Sequence, residues 1–249
     1  MDKLLYVAMS GAKETLRAQA ANTHNLANAS TTGFKADLSA FQSRAVTGPG
    51  YASRVYATDQ TVGWDNSTGT ILQTGNPLDL AIKGPGFLAV QDVNGNEAYT
   101  RAGDLHVDPT GQLLTATGLP VLGDNGPISV PPYTSLTVGN DGTISIVPLG
   151  QSPQTSANVA RIKLVNPPTD STSRSADGLF RTTSGEPAVA DASTTVAPGS
   201  LESSNVDLAS CMVNMIELSR KFDLQIKALH TAEDDETASA KLLQSSGSG

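Results

Sequence analysis

The chain is poor in the residue types that enzymes use for chemistry. Its 249 residues include one cysteine, three histidines and 4% aromatics. A single thiol, Cys211, allows no internal disulfide and no thiolate metal site. It reads as a small packing residue in a helical stretch. His24, His106 and His230 are scattered, without metal-ligand spacing. His24 reads as a hydrogen-bonding group on a helix surface. The chain has no HExxH, CxxC, GxxxxGK[ST] or GxSxG. Ser10 and Lys13 form an SxxK, but on an amphipathic terminal helix rather than in a cleft. Gly84-Pro85-Gly86 is no phosphate loop, because proline lacks the N–H such a loop must donate. No catalytic residue, cofactor or metal is expected.

Positive charge is also scarce. The net charge of −8 excludes nucleic acid as the main partner, since phosphate binding needs a basic face. It gives no support for binding an anionic membrane. No run of 18 apolar residues exists, so no transmembrane helix is expected. Leu4 to Met9 is too short for the apolar region of a cleaved signal peptide. That points to the cytoplasm unless a different export system reads the chain.

Proline is missing from the two ends and glycine is scarce there, while both crowd the middle. All 14 prolines and 20 of the 23 glycines lie between Gly33 and Gly199. At the N-terminal end, Leu5, Met9, Ala12, Leu16, Gln19, Thr23 and Leu26 alternate by four and three. At the C-terminal end, Leu208, Met212, Met215, Ser219, Phe222, Ile226 and Leu229 repeat that spacing. Each is the stripe of a helix that buries one side against a partner. Residues 3–30 read as one helix, interrupted only by Gly11 at a cost of about 1 kcal/mol. Residues 200–246 contain neither glycine nor proline. Ser204 and Asp207 have capping-box spacing there, so a helix starts near Val206. Glu233-Asp234-Asp235-Glu236 reads as a solvated run, or as a salt-bridging patch for a neighbouring subunit.

Between the helices the period changes. Leu78, Leu80 and Ile82 alternate, and so do the pairs Ile128/Val130, Leu136/Val138, Ile144/Ile146 and Ile162/Leu164. Asn94-Gly95, Thr117-Gly118, Asn125-Gly126 and Asp141-Gly142 supply turns. Short strands at this spacing predict an all-β body. Residues 148–158 and 167–177 read as loops. The expected fold class is α+β. Residues 1–34 plus 203–246 would form a discontinuous terminal-helix coiled-coil domain. Residues 35–68, with Gly48-Pro49-Gly50 and Trp64, would form an extended linking excursion, and residues 69–202 the β-rich outer domain.

Four motifs then carry a family resemblance. Asn25-Leu26-Ala27-Asn28-Ala29-Ser30-Thr31-Thr32-Gly33-Phe34-Lys35 resembles the NLANxxTxGFK signature of flagellar rod and hook proteins. Residues Gly199 to Asp207, which include Leu201, Glu202, Ser204, Asn205 and Val206, resemble their GxLExSNVD element. Leu78 to Phe87 is similar to the LDLAIxGxGFF strand, and Tyr99-Thr100-Arg101-Ala102-Gly103 to YTRxG. The matches follow the family's order over nearly the whole chain. His24 departs from the pattern, which usually has Asn there. Within the family, the opening Met1-Asp2-Lys3-Leu4 and Ala8 to Ala12 resemble a proximal-rod member more than the distal one.

The resemblance implies a structural subunit rather than an enzyme. Both terminal helices would pair as a coiled coil, with the β body outside. Subunits would stack into a helical tube that carries torque across the periplasm. The assembly seam would be Leu5, Met9, Ala12, Leu16, Leu26, Leu208, Met212, Met215, Phe222, Ile226 and Leu229. Partners would be further copies, inner proximal rod subunits, the distal rod protein and the flagellar type III export apparatus. Export without a cleaved signal would place the chain in the basal-body rod. Polar positions within the stripes predict helices that order only on assembly. Alternatives are the distal rod protein or another paralogue. More remote is a β-rich adhesin or binding module, for which Trp64 is the only tryptophan available to stack on sugar.

Overall fold

The computed structural model describes residues 3–45, 55–152 and 155–246. It is α+β, with one helix at each end and a β-rich region between them. Helix α1 runs Lys3–Ala27 and helix α2 runs Leu208–Ser246. Chain contacts divide the molecule into two compact units. Unit 1 gathers residues 1–29, 36–65 and 206–249, and unit 2 gathers residues 30–35 and 66–205.

Unit 1 is helical apart from one ladder. Strand Asp37–Ala45 pairs antiparallel with strand Val55–Trp64, from Asp37 opposite Trp64 to Ala45 opposite Val55. The stretch 35–68 therefore holds two long strands. Gly48-Pro49-Gly50 lies outside the described residues. Helix α1 ends where Asn28 turns its amide onto the His24 carbonyl (2.9 Å). Helix α2 begins one turn later than the Ser204 cap would place it. Asp207 is the N-cap: its carboxylate accepts from the Ala209 amide (3.1 Å) and the Ser210 hydroxyl (2.5 Å). The Ser210 hydroxyl holds the Asp207 carboxyl below its usual range. The helices run antiparallel, since Asn22 reaches the Cys211 carbonyl (2.8 Å) and Thr15 lies 3.0 Å from Gln225 Oε1.

Unit 2 is built from short antiparallel strands. A five-stranded sheet runs Leu164–Val165, Phe87–Gln91, Glu97–Thr100, Phe180–Thr182, Thr172–Arg174. A three-stranded sheet joins Tyr133–Val138, Thr143–Pro148 and Ala157–Arg161. Two-stranded ladders pair Leu80–Lys83 with Thr195–Pro198, and Ile71–Gln73 with Ser200–Glu202. Leu80, Ile82, Leu88, Leu113, Val121, Ile144 and Ile162 fill one apolar core. Leu80, Ala81 and Ile82 are all buried, so this strand is covered on both faces. The loop expected over 167–177 instead contains a 3-10 turn at Thr169–Ser171 and the edge strand Thr172–Arg174. Its polar sequence hides the strand, which is held by pairing with Phe180–Thr182 rather than by an apolar face.

Candidate functional site

In unit 1 the two helices touch through small and polar residues. On α1, Gly11, Thr15, Ala18, Asn22 and Asn25 fall at spacings of 4-3-4-3. Thr15, Ala18, Asn22 and Asn25 are buried. On α2 the buried residues are Cys211, Leu218 one heptad on, and Ala232 two heptads beyond that. Gln225 completes that row and presses on Gly11, where an added Cβ would lie 2.9 Å from Gln225 Nε2. Asn25 also grips the neighbouring strand. Its amide donates to the Asp37 carbonyl (3.0 Å), and its oxygen accepts from the Asp37 N–H (2.8 Å). His24 Nδ1 lies 2.6 Å from Asp37 Oδ2, a surface pairing.

The apolar stripes occupy a different side of each helix. Ala12 is buried, while Leu5, Leu26, Met215, Phe222, Ile226 and Leu229 are half-buried. Met9, Leu16, Leu208 and Met212 are about half exposed (53%, 50%, 48% and 51%). Tyr6, Val213, Ile216 and Leu224 are also exposed. Leu16 follows Thr15 and Met212 follows Cys211, so each stripe is rotated about 100° from the buried row. The rotation has the same sense on both helices. In an antiparallel pair that places both apolar stripes on the same flank. Apolar spacing alone does not reveal the inner row. Its signal was present as the same 4-3 spacing one residue earlier, but in Gly, Thr, Ala and Asn.

In unit 2 the first and last family motifs meet at a buried ion cluster. Lys35 Nζ lies 2.9 Å from Glu202 Oε1, and Arg101 Nε lies 2.9 Å from Glu202 Oε2. The Lys35 and Arg101 side chains are fully enclosed and Glu202 nearly so. Lys35 also donates to the Ser67 carbonyl (2.5 Å), and the Gly69 N–H donates to Glu202 Oε1 (2.9 Å). Arg101 Nη2 donates to the Gly84 carbonyl (2.7 Å). Burial pushes the Arg101 guanidinium below its usual range, and the Glu202 carboxylate opposes that. Gly33 sits at φ +67° and donates its N–H to the Glu202 carbonyl (2.8 Å). A Cβ there would lie 2.3 Å from the Arg101 carbonyl carbon, so only glycine fits. The Arg174 guanidinium stacks 4.3 Å over the Phe34 ring and donates to the Lys35 carbonyl (2.9 Å). The Asn205 N–H donates to the Phe34 carbonyl (3.3 Å). Such an arrangement holds chain segments together. It presents no nucleophile with an adjacent base, and among the described residues no three metal-ligating side chains converge.

Three family models match in chain order. The Flagella basal body rod protein model covers residues 5–35. The Flagellar hook protein FlgE/F/G D1 domain covers residues 81–146, and the Flagellar basal body rod FlgEFG protein C-terminal model covers residues 197–244. The chain is 42% identical to the flagellar basal-body rod protein FlgF of Salmonella typhimurium, over 99% of this chain and 100% of that protein. The chain belongs to the flagellar basal-body rod protein family. It is 35% identical to FlgF of Caulobacter vibrioides, over 97% of this chain and 98% of that one. It is 31% identical to the flagellar basal-body rod protein FlgG of Bacillus subtilis, over 94% and 96%. The first matched segment ends on Lys35 and the last contains Glu202. The buried cluster therefore joins the two end motifs of this rod family, with Arg101 supplied by the D1 segment.

Proposed function

We propose that this chain is a structural subunit of the proximal rod of the bacterial flagellar basal body. It stacks with further copies and with other axial proteins into a helical tube that transmits torque. Full-length identity to FlgF-named rod proteins carries this reading. The lower identity to FlgG of Bacillus subtilis favours the proximal over the distal rod.

The interface we assign is the apolar flank of the helical pair. Leu5, Met9 and Leu16 of α1 and Leu208, Met212 and Ile216 of α2 dock the helices of adjacent subunits in coiled-coil fashion. Leu26, Met215, Phe222, Ile226 and Leu229 continue the stripes. A surface that contacts a different surface of the next copy does not close on itself and generates a helix. The helices of a free subunit are largely unfolded and order as they join. The inner proximal rod subunits and the distal rod protein are the neighbours, and the type III apparatus exports the chain without cleavage to span the periplasm. A motility assay with Leu16→Glu and Met212→Glu tests the interface. Both variants are expected to be made and to fold in unit 2, yet be absent from purified basal bodies. Normal incorporation of either would remove this assignment.

A further inference from the structure

We propose that Asp79 and Asp104 form a carboxyl pair within unit 2 that takes up one proton and tightens as pH falls. The two residues face each other across an isolated antiparallel bridge. The hydrogen bond of that bridge belongs to the next pair along, from the Leu80 N–H to the Gly103 carbonyl (2.8 Å). Asp79 and Asp104 are therefore the non-hydrogen-bonded pair, where opposite side chains share a face and come closest. Their own carbonyls turn outward to other segments. The Asp79 carbonyl accepts from the Ser200 N–H (3.2 Å) and the Asp104 carbonyl from the Ala116 N–H (2.9 Å).

The two carboxyls differ in their surroundings. Buried Asp79 has a donor on each oxygen, the Thr74 hydroxyl on Oδ2 (2.6 Å) and the Asn76 amide on Oδ1 (2.8 Å). Asp104 Oδ1 is enclosed and accepts no hydrogen bond. The proton therefore goes to Asp104, where it neutralises the enclosed group and supplies a donor facing Asp79. Burial pushes the Asp104 carboxyl above its usual range, and the Asp79 charge adds to that. Its own N–H and the exposed His106 on the same strand oppose the rise. Its folded value lies above the unfolded 3.8, so its contribution is full below 3.8 and lost as pH rises through the folded value. Ionised, the pair sets like charges opposite each other, which destabilises the bridge. Asp79 is where three segments meet. Its carboxylate holds residues 74 and 76, its carbonyl holds Ser200, and Leu80 beside it is fully enclosed in the core. Acid tightens that junction and leaves the core strand Phe87–Gln91 as it was.

Carbon-13 NMR titration of the Asp104 carboxyl in the full-length chain tests the pair, with amide hydrogen exchange alongside. Asp104 should titrate above the ordinary carboxylate range, and Asp79→Asn should bring it down. At pH 7, Asp104→Asn should protect residues 74–80 about 2- to 5-fold more than the unmodified chain and leave 87–91 unchanged. That gap should close as pH falls toward 4, where the unmodified chain gains its own proton. Titration of Asp104 within or below the ordinary range would overturn the proposal. So would unchanged Asp104 titration in Asp79→Asn, or an absent or pH-independent gap at 74–80. Failure of Asp104→Asn to fold would overturn it too, since the neutral side chain is the form the fold favours.

Discussion

The two units bury opposite kinds of residue. Unit 2 hides leucine, isoleucine and valine in its core and gathers its most deeply enclosed charges, Lys35, Arg101 and Glu202, in one cluster. Unit 1 hides threonine, alanine and asparagine of α1 against Cys211, Leu218 and Ala232 of α2, and leaves Met9, Leu16, Leu208 and Met212 about half exposed. A unit that encloses its apolar side chains is stable alone. A helical pair that shows them to solvent has a further surface to cover. The contrast separates what this chain does for itself from what it does with other copies.

The comparison breaks first at Glu202. Glu202→Gln removes the carboxylate that faces both enclosed cations, Lys35 and Arg101, and should destabilise unit 2 by about 3–5 kcal/mol. Denaturant unfolding of the β signal would register that loss. A core truncation, Ile144→Ala, should follow at about 2–5 kcal/mol, because Ile144 is fully enclosed. Asp207→Ala should weaken the ordered α2 by about 1 kcal/mol by removing its N-cap, seen as less of the variant than of the unmodified chain in purified basal bodies. Leu16→Glu and Met212→Glu should change monomer stability by under about 0.5 kcal/mol, since both positions are exposed. Their effect should appear only in assembly, which is the sharpest form of the contrast.

Acid sharpens it within unit 2. The Arg181 hydrogen bond holds the buried Asp92 carboxyl below its usual value, and Asp177 on the same guanidinium behaves alike. Their folded pKa values lie below the unfolded value of 3.8. The stability they contribute is therefore present above that value and lost as pH falls through the folded one. Asp104 runs the other way, because burial raises its carboxyl, so its neutral form is favoured in the fold as pH falls. Unfolding midpoints between pH 5 and 2 should drop for the unmodified chain and drop less for Arg181→Met. Equal slopes would mean that the Arg181 pairings contribute nothing to folding.

Much of this was legible in the sequence because the signals were apolar and periodic. Ile144 and Ile146 alternate, and the strand Thr143–Pro148 follows from them. The absence of glycine and proline over residues 200–246 permits the 39-residue α2. What the sequence hid was polar. The inner row of α1 has the helical spacing, but Thr15 and Asn22 do not register as a buried face. Thr172–Arg174 becomes a strand only because Phe180–Thr182 lies beside it. Asp207 caps α2 through its own carboxylate, a role that the Ser204 spacing did not reveal. Lys35, Arg101 and Glu202 are distant in sequence, and only folding shows that the three share one site. Their membership of separate family motifs was the available hint.

The most direct measurement is electron cryo-microscopy of purified basal bodies, with this chain traced by its side-chain density. The account predicts it in the proximal rod, with Met9, Leu16, Met212 and Ile216 packed against neighbouring subunits and Thr15 and Asn22 still facing α2. Finding those four apolar side chains in the open channel or in solvent, or finding the chain absent from the rod, would contradict it.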